Sequence, residues 1–412
     1  MEANIAIVSA KHVLVVFGLV LGLGMLSGLL AEKLRIPDVA IFLLVGIGVG
    51  PEIAGLVDIK AASALNQLIL IFGSCYILFD GGASLRLRVL KEVWITIVVI
   101  ATLGVLITVA ITGLAAYYIL GVPMISALLL SACLASTDPA TLVPIFKQVP
   151  IRDRVAQTVM SESAFNDAMG AIVTFTILAV ATGSGSFSLA HSTLELITEA
   201  GLGLLVGGIL GYAAVFLIAH EHYDFLVEYA PLVTLMTVIG AYMEADNLSA
   251  SGFMAVFVFG IIIGNKGAFG FEMAEHEEHR LEEFVLTTAL IMRMFIFILL
   301  GAQVDFALMN KYLVGGAAVV AVLMFIARPV TVFVCAGPDR RAQWSIKELL
   351  FMCWTRETGV IPAALAGLLL GMKAPGAEMI ASVTFIAVLM TILIQAPTTA
   401  WLAGRLGLLV KR

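Results

Sequence analysis

Two stretches of this sequence combine acids, hydroxyls and helix breakers in a way that suits the handling of a small cation. The first reads Ala135-Ser136-Thr137-Asp138-Pro139-Ala140-Thr141. Pro139 has no amide hydrogen and disfavours helical backbone at the residue before it, so a helix entering here is expected to open at Thr137-Asp138. Freed carbonyls and the Thr137 hydroxyl are hard oxygen ligands suited to an alkali cation, and Asp138 can offset the positive end of the half-helix that follows. A proline kink with a capping aspartate is the simpler alternative. The second stretch reads Ser161-Glu162-Ser163-Ala164-Phe165-Asn166-Asp167-Ala168-Met169-Gly170. On a helix Ser163 and Asp167 share one face and Glu162 and Asn166 another, while Glu162 and Asp167 diverge by about 140°. One face is expected to present a hydroxyl and a carboxylate to a hydrated cation path. The other is expected to hold a carboxylate and an amide against a neighbouring helix. The alternative for Asp167 is a structural acid paired permanently with an arginine.

Other ionisable residues sit in apolar surroundings: Asp80, Arg293, Arg328, Arg356 and Glu357. Arg328, in Ala327-Arg328-Pro329, is the best partner for Glu162, because a buried carboxylate is tolerated only when paired and hydrogen-bonded. Arg356 and Glu357 can balance half-helix ends or neutralise each other. Arg293 has no evident partner. Asp80 suits a solvated role as well as a site role.

The elements that must position these groups are membrane helices. Of 412 residues, 61% are hydrophobic and only 13% charged, and the mean hydropathy is +1.07. A soluble domain carries about 25% charge and could not hide that much apolar surface. Nor does the net charge of −6 favour nucleic acid. Thirteen candidate spans follow, at 12–32, 38–57, 62–85, 93–120, 124–147, 155–182, 193–219, 226–245, 248–265, 282–302, 312–336, 347–371 and 377–403, each near the length needed to cross a ~30 Å hydrocarbon core. Sorting the Lys and Arg outside the spans by alternate loops leaves only Lys11, Lys60, Lys311 and Lys373 on one side. The N-terminus is therefore expected outside and the C-terminus in the cytoplasm. No signal peptide is expected, and the four cysteines read as small buried residues. A separate soluble domain is not expected either.

A weak internal echo links the ends of the third and tenth spans, Leu78-Phe79-Asp80-Gly81-Gly82 and Leu299-Leu300-Gly301-Ala302-Gln303 followed by Asp305. The breaks in the fifth span near Pro139 and the twelfth near Gly359 and Pro362 keep the same offset of seven spans. An odd offset inverts one half relative to the other, as in secondary transporters. Between spans nine and ten, Glu272 to Glu283 mix acids with His276 and His279. That segment reads as a solvated interfacial helix, with a pH-sensing role as the alternative.

Thr137-Asp138-Pro139, Glu162-Ser163 with Asn166-Asp167, Arg328, and Trp354 with Gly359 and Pro362, in this order on spans five, six, eleven and twelve, resemble the sodium/proton exchanger family of the NhaP and NHE type. The resemblance implies an all-α polytopic fold of inverted repeats with crossed, broken helices, a homodimer in the lipid bilayer, and an elevator-like movement of a core domain. It implies that Asp167 binds cation and proton alternately, that Asn166, Ser163, Thr137 and Asp138 help to hold the ion, and that Arg328 fixes Glu162. It implies that the transported ions are Na+, or Li+ or K+, and H+, with no cofactor. The Asn166-Asp167 pair resembles electroneutral members. The twelfth span departs from the family pattern of Gly-Leu-Arg-Gly after the tryptophan, since Thr355-Arg356-Glu357-Thr358-Gly359 follows Trp354. The rival readings are a potassium efflux system or cation channel of related fold and, more remotely, an intramembrane aspartyl protease using Asp80 and Asp167.

Overall fold

The structure, a computed structural model, describes residues 2–34, 36–60, 63–137, 141–142, 145–146, 149–183, 189–219 and 226–410. The helices are α1 Glu2–Leu34, α2 Asp38–Val49, α3 Ala64–Ala83, α4 Leu87–Leu120, α5 Met124–Cys133, α6 Asp153–Ala181, α7 Leu189–Ala219, α8 Ala230–Asn247, α9 Gly252–Gly264, α10 Glu275–Ala302, α11 Phe306–Cys335, α12 Ile346–Trp354, α13 Val360–Gly371 and α14 Ala377–Leu406. Among the described residues, eight helices are long and apolar enough to cross a membrane; α2, α5, α9 and α13 are apolar but shorter. At 12 and 13 residues, α2 and α9 rise only about 18–20 Å. The span expected at 38–57 therefore stops early, at Gly50-Pro51. Conversely, the acidic segment before the tenth span is the first turns of α10 itself. There Glu278 pairs with Lys266, and Arg280 bonds Glu277 and the carbonyl of Glu228.

The helices sort into two packing groups. One holds α1–α3 and α7–α10; the other holds α4–α6 and α11–α14. Small residues set the first group. A Cβ on Gly82 would lie 2.4 Å from Phe257 O, one on Gly260 2.3 Å from Phe79 O, and one on Gly264 2.1 Å from Ala83 O. This α3–α9 seam has a counterpart between α10 and α2, where a Cβ on Gly301, Gly46 or Gly50 would lie 2.2, 2.2 or 2.7 Å from Leu43 O, Ile298 O and Ala302 O respectively. The two seams keep the same residue register, so the inverted repeat is visible in the packing of the chain itself. The register aligns Phe79-Asp80-Gly81-Gly82 with Ile298-Leu299-Leu300-Gly301, two residues away from the alignment expected from sequence.

The second group shows the same symmetry. The helices α4 and α11 each contain one π-helical turn, Ile100–Gly104 and Leu323–Ala327. Thr108 Oγ1 and Thr331 Oγ1, each four residues past its turn, lie 3.1 Å apart. Equivalent residues that touch must sit on the pseudo-twofold axis, so these two hydroxyls mark it. The fifth and twelfth spans are both interrupted: α5 ends at Cys133, and extended chain from Thr355 to Gly359 separates α12 from α13. Pro362 does not make the second break. It is the third residue of α13, where a missing amide hydrogen costs little.

Polar ties outside the apolar core fix where α12 begins. Ser345 and Glu348 form a reciprocal capping box, and Glu348 also meets Arg154 (Nε–Oε1 3.0 Å) and Arg152. Trp344 Nε1 donates to Thr96 Oγ1, which bonds Asp339. Burial alone would raise the Asp339 carboxyl, but bonds from the Thr96 hydroxyl and the Ala342 and Arg341 amides hold it below its ordinary value.

Two outcomes follow. Gly264→Ala drives a methyl into a backbone oxygen and should cost about 1–3 kcal/mol or more. Gly22→Ala, which meets nothing within 4 Å, should stay within about 1 kcal/mol; thermal melts in detergent compare the two. Because the folded pKa of Asp339 is lowered, its contribution to stability is complete above the unfolded value of about 3.9 and disappears as pH falls through the folded one. The acid melting curve of Asp339→Asn should therefore be flatter than that of the native protein across that window, and parallel curves would refute the role.

Candidate functional site

The site forms where α6 passes the carboxyl end of α5. Helix α5 closes on tight turns, with Leu134 N bonded to Leu130 O and Ala135 N to Ala132 O. The backbone leaves the helix at Leu134, three residues sooner than the proline alone predicts. Side chains from α6 take over its polar groups. Thr137 N donates to Asn166 Oδ1 at 3.0 Å, Asn166 Nδ2 donates to Thr137 Oγ1 at 2.9 Å, and Thr137 Oγ1 donates to Ser163 Oγ at 2.8 Å. Ser136 Oγ reaches Asn166 O at 3.4 Å. This approach needs Gly170, on which a Cβ would lie 2.2 Å from Ser136 Oγ.

Thr137, Ser163, Asn166 and Asp167 are all buried, Asp167 completely. Asp138, Pro139 and Pro144, which the sequence also singles out, lie outside the described residues. Asn166 does not lie with Glu162 against a neighbouring helix as expected. Three residues from Ser163 on α6, it turns to the fifth span and shares Thr137 with Ser163. The arrangement gathers two hydroxyls, an amide oxygen and a carboxylate-bearing turn around opened backbone, an all-oxygen set of the kind a hard cation takes.

Glu162, on the other side of α6, is gripped by Arg328. The guanidinium forks onto the carboxylate, with Nη2–Oε2 at 2.8 Å and Nη1 closing on Oε1, and both residues are almost fully buried. Arg328 also donates from Nε to Met352 O at 2.9 Å and from Nη2 to Thr355 O at 3.5 Å. It therefore serves the last carbonyls of α12 as well as the acid. Arg356 does the equivalent for α5. From the extended stretch after α12, its Nη2 donates to Leu134 O at 3.0 Å and Ala135 O at 2.9 Å. The carboxyl end of a helix carries partial negative charge, so each broken span ends on an arginine. Glu357 is fully buried in the same extended stretch.

Asp80 stands apart. It lines a cavity of about 380 Å³ with Ser84, Lys266, Glu278 and Glu282, and none of the Thr137–Asp167 group lines that cavity. Arg293 meets Asp38 at 3.5 Å, bridging α10 and α2. No group of three or more His, Cys, Asp or Glu suited to a transition metal occurs among the described residues.

A polar latch on α14 was not foreseen. Thr358 N donates to Thr391 Oγ1 at 3.0 Å, Gln395 Nε2 to Trp354 O at 2.7 Å, and Trp354 Nε1 to Thr398 Oγ1 at 2.9 Å. Thr391 and Gln395 bound a third π-helical turn. The signal was available as buried polar residues four apart in an apolar span, but attention to ionisable groups alone passes over it.

Removing one partner of the Glu162–Arg328 fork strands a buried charge. Glu162→Ala should lose about 3–5 kcal/mol, and Glu162→Leu combined with Arg328→Met should lose less than the two single changes summed. Denaturant titration in detergent measures this, and strict additivity would mean that the fork carries no coupling.

The comparisons with known proteins agree with this geometry. The family model for "Sodium/hydrogen exchanger, transmembrane" matches residues 16–405. The chain is 34% identical over 357 residues to Na(+)/H(+) antiporter 1 of Methanocaldococcus jannaschii, covering 85% of this chain and 81% of that protein. It is 27% identical to the Na(+)/H(+) antiporter ApNhaP of Aphanothece halophytica over 98% of this chain and 76% of that one. It is 28% identical to the K(+)/H(+) antiporter NhaP of Alkalimonas amylolytica, over 94% and 66%. The solved structure of the sodium proton antiporter MjNhaP1 from M. jannaschii at pH 8 superposes with a TM-score of 0.77 at 31% identity, covering 98% of this chain and 99% of that one. An all-helical inverted repeat, two crossed broken spans and a family match over nearly the full length lead to one conclusion: the chain is a transporter, not an enzyme, and belongs to the sodium/hydrogen exchanger family.

Proposed function

We propose that this protein is a secondary antiporter of the cell membrane that exchanges one monovalent cation for one proton by alternating access, with both ions competing for Asp167. The observation that carries the reading is the cluster of Thr137, Ser163 and Asn166 one turn from a fully buried Asp167, at a point where the fifth span leaves the helix. A carboxylate there is neutral with a proton or with a cation, and costly to move across hydrocarbon when empty and charged. That asymmetry couples the two fluxes. In this reading Ser163, Thr137, Asn166 and Asp138 help to hold the ion directly or through water, Glu162 and Arg328 hold the scaffold, and the transported ions serve without a cofactor.

Sodium is the first assignment, supported by the family description and by the relative at 34% identity. The relative named for potassium supports potassium as the second. The Asn166-Asp167 pair, by resemblance, supports one cation per proton. Thirteen crossings are read from the apolar runs, and the Lys and Arg distribution supports that count with an external N-terminus and a cytoplasmic C-terminus. The resemblance supports a homodimer.

Purified protein in liposomes under an imposed pH gradient, challenged with sodium, lithium, potassium and choline in turn, tests the assignment. An alkali cation should collapse the gradient in the native protein, while Asp167→Asn, folded with a native-like melt, should leave it intact. Retained exchange in that variant would remove Asp167 from the mechanism.

A further inference from the structure

We infer that Arg356 is a resident cation: its guanidinium occupies a carbonyl seat at the end of α5 that would otherwise accept a transported ion, and so limits the crossing to one cation. The seat is built from Leu134 O and Ala135 O, two carbonyls released where α5 stops, both within 3.0 Å of Arg356 Nη2. Such paired backbone oxygens, at the negative end of a half-helix, are the groups with which membrane proteins replace the hydration shell of an alkali ion. Thr137, two residues further on, begins the Ser163–Asn166 cluster. The seat and the proposed ion site are therefore neighbours along one short run of opened chain.

Arg328 provides the contrast. It serves the end of α12 but is forked onto Glu162, so its charge is met directly by a carboxylate. Arg356 is 3% exposed, its described bonds run to carbonyls and not to a carboxylate, and its Nη1 has no hydrogen-bond partner among the described residues. A guanidinium stays protonated in such a place where an amine would shed its proton. Arg356 thus contributes a fixed positive charge beside the ion site. The family pattern of Gly-Leu-Arg-Gly sets its arginine at a different position after the tryptophan, so the seat rests on this chain's own Thr355-Arg356-Glu357-Thr358-Gly359 sequence.

The inference rests on the antiport reading, and reconstituted native protein separates the two. If native protein exchanges no cation for protons, the antiport reading fails first. With native exchange established, Arg356→Gln is assayed for cation KM, ion order and the ratio of tracer cation to proton flux, with and without millimolar guanidinium, the native protein serving as control for simple competition by guanidinium. The vacated seat and the lost charge should lower cation KM by about tenfold, admit larger ions and raise the cation-to-proton ratio above that of the native protein. Guanidinium should restore native KM and coupling. If the variant is recovered folded only when guanidinium is present, native coupling in that sample supports the inference equally. Native KM and coupling in Arg356→Gln without guanidinium overturn it. So does a variant whose fold, KM and coupling guanidinium leaves unchanged.

Discussion

Two helices that stop inside a membrane protein release end carbonyls from their helical partners, and the polar structure around both ends answers that one electrostatic demand. Each end takes a buried arginine. Arg328 then needs Glu162, Glu162 needs α6 at a fixed rotation, and that rotation presents Ser163 and Asn166 to Thr137. The capping box at Ser345 and the latch on α14 set where α12 starts and where its extended continuation lies. The π-helical turn just before Arg328 belongs to the same chain of needs, because one extra residue per turn re-aims the side chains that follow.

The repeat is faithful in backbone and unfaithful in chemistry. Glycine seams and π-helical turns recur residue for residue. Yet the seam register aligns Asp80 with Leu299, and the turn register aligns Arg328 with Val105. Symmetric packing gives two related frames of similar energy, the condition for an alternating device. At each of these two pairs an ionisable group stands in one half and an apolar residue at the equivalent place in the other.

Much of this was legible before any coordinates. Composition identified lipid as solvent, and ionisable residues in apolar runs pointed to the site because their burial is expensive. Arg328 with Glu162 was readable because few bases were available to answer that acid. Helix ends were less legible: α2 stops at Gly50-Pro51 inside a run that hydropathy carries on to residue 57, since hydropathy averages over the residues that break a helix. Asn166 was placed on the wrong neighbour because a helical wheel fixes angles within α6 but not what surrounds it. The role of Arg356 depends on a contact more than 200 positions away, beyond any local pattern.

The glycine seams have a mechanical meaning. Backbone lying against backbone leaves no side chain to re-rotamer, so α2 with α10 and α3 with α9 can only move as welded pairs. The first packing group meets the second where α6 lies against α9, α7 and α3 and where α13 lies against α3 and α10, and no glycine seam of this kind crosses that boundary among the described residues. Two tightly seamed pairs beside a boundary without such seams divide the molecule into a part that resists shear and a surface along which shear is cheapest.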